Sequence, residues 1–206
     1  MRRSAPIVEA VPAPDAIAFV RAALPPAPAR VLEIGAGDGA LSAVLRGAGY
    51  DVTAIDPRGE GDVLPVALLD LEAAPFDAAV AMTSLHHVEP LTESLEHLAA
   101  LLSRGARLVV DEYDVEALDE RAAAWWLNIA GEDQDPAEHV AHMRHHIYSV
   151  ARIRTALAPW FDVSEPVPGA YLYRHKIGWE HRAEEEGKIA AGEIPATGSR
   201  FIAIRR

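Results

Sequence analysis

No cysteine occurs anywhere in the 206 residues. That excludes disulfides, thiolate-bound metals and every reaction that runs through a cysteine nucleophile. Basic charge is scarce as well: 19 lysines and arginines stand against 31 aspartates and glutamates, a net charge of −12, and Lys176 and Lys188 are the only lysines. Such a field repels a phosphate backbone, so nucleic acid is not an expected partner. The two densest basic stretches, Arg144 to Arg154 and Arg200 to Arg206, are interleaved with apolar positions and do not change that reading. No apolar run approaches the length that crosses a bilayer, so no membrane partner is expected either. Met1-Arg-Arg-Ser starts like the basic end of a secretion signal, but Val11-Pro-Ala-Pro-Asp15 interrupts the apolar core that should follow, and a cytoplasmic location is expected.

What remains is ordinary globular material, half apolar and about a quarter charged, and long enough for one sizeable core. Residues 1–206 are therefore expected to form a single domain. Within it, 1–29 would be a leading helix (Ala13 to Leu24) and a proline-rich linker, and 115–160 a helical lid or substrate-binding insertion. Between these the chain alternates between strand and helix patterns. Val31 to Ile34, Asp51 to Asp56, Pro65 to Asp70, Phe76 to Met82 and Arg107 to Tyr113 read as strands, and the segments from Ala40 and over Leu91 to Ser103 as helices. That alternation predicts a parallel, doubly wound sheet with ligands at the carboxyl ends of its strands. Glu33, Asp56, Asp70, Thr83 and Glu112 would meet at that edge.

The densest signal is Val31-Leu-Glu-Ile-Gly-Ala-Gly-Asp-Gly-Ala-Leu-Ser42, which turns from strand to glycine-rich loop to helix within a dozen residues. Gly35, Gly37 and Gly39 let the chain turn sharply and let a ligand touch bare backbone, beside the free N–H groups of a helix start. Gly35, Gly37 and Ala40 also satisfy the relaxed dinucleotide fingerprint. Asp56, 21 residues past Gly35, ends the second strand. A carboxylate there can accept both hydroxyls of a ribose, from NAD or from adenosylmethionine alike.

The run Glu33-x-Gly35-x-Gly37-x-Gly39 resembles motif I of the class I methyltransferases that use S-adenosylmethionine. The segment Leu85-His-His-Val88 looks like the stretch after strand four in members that act on small molecules. The resemblance implies a Rossmann-like, doubly wound, mostly parallel seven-stranded sheet with an antiparallel last strand, Ser199 to Arg205. It implies that Glu33, Gly35 and Gly37 surround the methionine part of the cofactor and that Asp70, followed by Leu71, faces the adenine amino group. Ala36, Pro57, Met82 and Thr83 complete the expected cofactor contacts. One departure from the family pattern is visible: only Pro57 to Leu64 separates Asp56 from the next apolar stretch, so the usual intervening helix is reduced or missing.

The implied reaction moves a methyl group to O, N or C of a small-molecule acceptor, aromatic or secondary-metabolite acceptors among them. The lack of cysteine excludes covalent cytosine C5-methylation. Glu112, His146 and Tyr173 are the candidate proton acceptors, in that order. His139, His142 and His146 share one helix face, yet no further ligand of matching spacing accompanies them and no metal is expected. His86 and His87 read as packed or capping groups, the Glu184-Glu-Glu186 run as a solvated helix face, and Tyr171, Tyr173 and His175 as one face of an extended segment. Two alternatives stand beside this reading. One is an NAD-dependent oxidoreductase, which would lack a Tyr-x-x-x-Lys pair; the other is a non-catalytic nucleotide-ligand-binding module of the same fold. The expected assembly is a monomer or homodimer.

Overall fold

The computed structural model describes residues 14–73 and 75–206. In chain order the elements are α1 (Pro14–Ala23), β1 (Arg30–Ile34), α2 (Ala40–Gly47), β2 (Asp51–Ile55), β3 (Val63–Leu64), β4 (Phe76–Met82), α3 (Leu91–Leu101) and β5 (Leu102–Tyr113). They continue with α4 (Glu120–Ala130), α5 (Pro136–His146), α6 (Val150–Leu157), β6 (Phe161–Val163), β7 (Val167–Gly169), α7 (Arg182–Ala190) and β8 (Gly198–Arg205). One eight-stranded sheet runs β3-β2-β1-β4-β5-β8-β6, with β7 also on β8. The first five strands are parallel, and β8 is antiparallel to β5, β6 and β7.

Strand periodicity places the core on both faces. Neighbouring residues of a strand point to opposite sides. Val31, Ala78, Val80 and Val109 accordingly pack with Val20, Leu24, Leu41 and Leu45 of the α1–α2 layer. Leu32, Ala79, Leu108 and Val110 pack with Leu95, Leu98, Ile153 and Leu157 of the α3–α6 layer. A separate apolar cluster sits where β5 ends, formed by Tyr113, Val115, Trp126, Leu127, Val140, Leu172 and Ile194. It seats α4 and α5 over that end of the sheet. Among the described residues no helix is long and apolar enough to cross a membrane.

Several expectations need correction. The third strand is not Pro65 to Asp70: it is the two-residue β3, and Leu68–Asp70 is a 3-10 turn. Asp56 N–H closes the ladder on Leu64 C=O, Pro65 has no N–H to continue it, and Val66 N–H turns back to the same carbonyl. The sheet has eight strands, not seven, because the short β7 joins it. Within 115–160 the first helix starts only at Glu120, where the Asp119 carboxylate accepts the Ala122 N–H as an N-cap. Tyr171 to His175 is not extended. Leu172–Arg174 is a 3-10 turn, so the aromatics part company: Tyr171 stacks on Tyr113, and Tyr173 meets Trp179 edge-on. The cause is Glu185, which is fully buried and whose carboxylate accepts the N–H groups of Tyr171, Leu172 and Tyr173 at 2.8–3.0 Å. The acidic face of α7 is thus not wholly solvated. The leading helix matches from Pro14 onward, and residues 1–13 lie outside the described part.

Candidate active site

The site starts at the carboxyl end of β1. Gly35, Gly37 and Gly39 hold φ of 68°, 55° and 80°, a region that side-chain-bearing residues rarely adopt. The loop is tied to its neighbour strand by the Ala36 N–H on Ile55 C=O at 2.9 Å. A Cβ at Gly35 would collide with the Cβ of Ser84, so that position is closed by the protein itself. A Cβ at Gly37 would meet nothing within 4 Å, so that position is open. Asp56 stands beside the open glycine, one oxygen accepting the Gly37 N–H at 3.2 Å and the other the Arg58 N–H at 2.8 Å. Glu33 points the other way, 4% exposed under α2, where it accepts the Ser42 hydroxyl. Burial lifts its carboxyl to about 7, against the opposing pull of the Ser42 bond.

The turn after β4 closes the third side. Thr83 has φ +52° and its N–H reaches Asp111 C=O at 2.7 Å. Ser84 N–H and Leu85 N–H go to one oxygen of Glu112 (2.8 and 2.6 Å), and His86 Nδ1 lies 2.5 Å from the other. Ser84 Oγ donates to Ile34 C=O at 2.6 Å, joining this turn to the glycine loop.

A family described as "Methyltransferase domain" matches residues 9–159. The chain belongs to the class I S-adenosylmethionine-dependent methyltransferases. An uncharacterized methyltransferase of Mycobacterium tuberculosis (strain H37Rv) is 34% identical over 183 residues, 81% of this chain and 63% of that protein. A ubiquinone biosynthesis O-methyltransferase of Xanthomonas axonopodis pv. citri is 33% identical over 150 residues, 63% of this chain. This chain spans 58% of that relative's length. Among solved structures, the Burkholderia thailandensis 1,6-didemethyltoxoflavin-N1-methyltransferase, bound to 1,6-didemethyltoxoflavin and S-adenosylhomocysteine, matches with a TM-score of 0.57 at 18% identity. The match covers 96% of this chain and 78% of that one. Nothing in these matches supports the oxidoreductase alternative.

Within this methyltransferase the expected site residues fall into three groups. Gly35, Ala36, Gly37, Asp56, Met82 and Thr83 lie at adjoining strand ends, and the exposed Pro57 follows Asp56 directly. Asp70 is exposed on the 3-10 turn beyond β3, and the Leu71 side chain is buried against the α3 layer. Glu33 is beside the loop but beneath it.

The three candidate proton acceptors do not converge. Glu112 is fully buried and both its oxygens are already engaged, a correction to its expected place as the first-choice base. Adjacent acids in a buried strand must each find partners on opposite faces, and the Asp111-Glu112 pair carries that signal in the sequence. Tyr173 is 1% exposed, its hydroxyl 3.2 Å from Arg174 Nε, and burial pushes its ionisation up. His146 is exposed at the end of α5, where Nδ1 bonds His142 C=O at 2.7 Å. A carbonyl only accepts, so Nδ1 carries a proton and Nε2 is the ring nitrogen left to exchange one.

Sequence reasoning missed the charged cluster on the other side of β5. Arg174 and Arg200 both pair with the buried Asp111 (3.1 and 2.9 Å), and Arg200 reaches Asp15 of α1 at 2.8 Å. Together with Arg182 and Glu186 these groups line a cavity of about 270 Å³. A wider groove of about 1040 Å³, lined in part by Arg107, Thr155, Phe161 and Ile204, contains no residue of the glycine loop and lies toward the amino ends of the parallel strands. Asp114, immediately past β5, was missed too. Burial raises its carboxyl, and its buried Oδ1 has no partner among the described residues, nor does Thr197 Oγ1 next to it. Among the described residues no group of three or more His, Asp or Glu could hold a metal.

Proposed function

We propose that this methyltransferase transfers a methyl group from S-adenosylmethionine to an oxygen, nitrogen or carbon of a small-molecule acceptor. The observation that carries the reading is the open position at Gly37 beside the Asp56 carboxylate. Bare backbone, an acceptor-only side chain and a helix start meet there, which suits a ribose and the polar amino-acid end of the cofactor. The cofactor, when bound, supplies an electrophilic methyl on a sulfonium that leaves readily. The rest falls to this chain. Gly35, Ala36 and Gly37 cradle the methionine end, Asp56 with Pro57 receives the ribose hydroxyls, and Met82 and Thr83 border the methyl. Asp70, with the backbone of Leu71, would receive the adenine. The segment 115–160 serves as a lid that excludes water and orients the acceptor, the main sources of acceleration in such a transfer.

Where the acceptor must lose a proton, His146 and Asp114 suit the task better than Glu112 or Tyr173, because each offers an atom not already bonded within the described protein. Tyr148, two residues past His146, donates its N–H to His86 C=O at 3.1 Å and so brings this end of the lid to the turn after β4. Oxygen is the favoured acceptor atom, since curated relatives carry the name O-methyltransferase. A cytoplasmic location and a monomer or homodimer complete the proposal.

The test is calorimetric titration of the whole chain with S-adenosylhomocysteine and with NADH, followed by a panel of hydroxylated aromatics assayed for S-adenosylhomocysteine release. Saturable binding of S-adenosylhomocysteine and release with at least one hydroxyl acceptor are expected. No binding at millimolar ligand, or tighter binding of NADH, would remove the proposal.

A further inference from the structure

We infer that Glu112 and His86 form a positioning pair for the cofactor loop, acting through Ser84; the inference rests on the proposed methyl-transfer reading. Glu112 is 0% exposed, and a carboxylate taken fully out of water requires donors in its place. Four are present: Ser84 N–H at 2.8 Å and Leu85 N–H at 2.6 Å on one oxygen, His86 Nδ1 at 2.5 Å and Tyr113 N–H at 3.3 Å on the other. An acceptor-only carboxylate sets the tautomer of the imidazole, so the proton of the pair lies on His86 Nδ1. Three consecutive residues of the turn after β4 are thereby clipped to a single side chain of β5.

The clip passes its position on in two directions. Toward β1, Ser84 Oγ donates to Ile34 C=O at 2.6 Å, and the Ser84 Cβ fills the space that a side chain at Gly35 would need. Any shift of Ser84 therefore moves the first residue of the glycine loop. Toward the lid, the His86 carbonyl receives the Tyr148 N–H just past α5. Thr83 enters the turn at φ +52°, a conformation a β-branched residue holds only when its surroundings impose it. The bonds to Glu112 and the Thr83 N–H on Asp111 C=O are what impose it. Glu112 never has to touch a ligand to govern where the loop sits.

The experiment compares the wild type with Glu112→Gln, Ser84→Ala and the exposed control Glu116→Gln, read by S-adenosylhomocysteine titration, thermal melting and nitrogen-15 NMR of the histidine rings. Gln keeps one acceptor oxygen for the two backbone N–H groups but turns an NH₂ toward Nδ1. Expected are S-adenosylhomocysteine binding weakened by about three- to tenfold, a His86 ring that moves its proton off Nδ1, and an unaffected control. Ser84→Ala, which cuts only the link to Ile34, is expected to weaken binding to a similar degree, and it decides the matter if Glu112→Gln does not fold. A lowered melting point with unchanged S-adenosylhomocysteine affinity in both variants overturns the inference, because the pair would then serve only stability. A turnover loss of about a hundredfold or more with unchanged affinity also overturns it, returning Glu112 to the role of base. A wild type that binds no S-adenosylhomocysteine is a different result, which removes the methyl-transfer reading first.

Discussion

The two sides of the sheet's carboxyl edge are built by different means. Around the glycine loop, most framing groups come from residues 33 to 58, Asp56 reaching Gly37 across 19 positions, and Ser84 alone joins from 50 positions away. Around the end of β5, Asp111 is met by Arg174 across 63 positions and by Arg200 across 89, and Asp15 meets Arg200 across 185. The near side holds Asp56, half-buried, on two backbone N–H groups and leaves Gly37 open. The far side consumes most of its buried acids internally, Asp111 on arginines and Glu112 and Glu185 on backbone N–H groups. An open position, on this comparison, is recognised less by how many charged residues surround it than by which of them stay at the surface.

The largest effect should come from breaking the far side. Glu185→Ala strips three buried N–H groups of their acceptor, and the loss is expected to be about 3 to 5 kcal/mol in urea unfolding, with the Leu172–Arg174 turn released. Next is Glu33 on the near side. Its carboxyl holds a proton up to about pH 7 in the folded chain and loses it near 4.5 when unfolded. Between those values the folded state binds more protons, so stability falls as pH rises from about 4.5 to 7, by on the order of 3 kcal/mol. Melting curves at pH 5 and pH 8 should show this slope in the wild type and not in Glu33→Gln.

Asp56→Ala sharpens the contrast, since it should weaken S-adenosylmethionine about tenfold to several-hundredfold, with Asp56→Asn milder. Stability should drop by only about 1 kcal/mol, from the lost bonds to Gly37 and Arg58. Titration calorimetry beside circular dichroism separates the two effects. The smallest change is expected from Lys188→Ala: its pair with Glu193 is at the surface, and the melting point should not move measurably.

The same division decides what could be read in the sequence. β4 was legible to the residue and β1 and β2 nearly so, because buried strands flanked by glycine and proline leave a local pattern. The parallel pairing of the first strands, and the meeting of the glycine loop and Asp56 at one edge, followed from the alternation and the motif. Glu112, Tyr173 and Glu185 were not legible in this way. Whether an acid in a strand or on a helix is a free base or a buried anchor depends on N–H groups that arrive from 12 to 28 positions away. No window of sequence contains both partners and the geometry that joins them. Where Pro65 broke β3, the signal was present but was outweighed by the apolar run behind it.

The position of β8 has a consequence for how the chain acquires its shape. β8 lies between β5 and β6 and also carries β7, so Phe161–Val163 and Val167–Gly169 have no strand to pair with until Gly198–Arg205 is in place. The parallel half, β3 to β5, needs nothing beyond residue 113 for its ladder. Loop closure over such a distance is slow, and assembly is expected in two stages, with the parallel half formed before the antiparallel half. During synthesis the glycine loop would then be shaped early, while the Asp15–Arg200 contact, and with it the closing of the α1 end against β8, would wait until Arg200 had emerged.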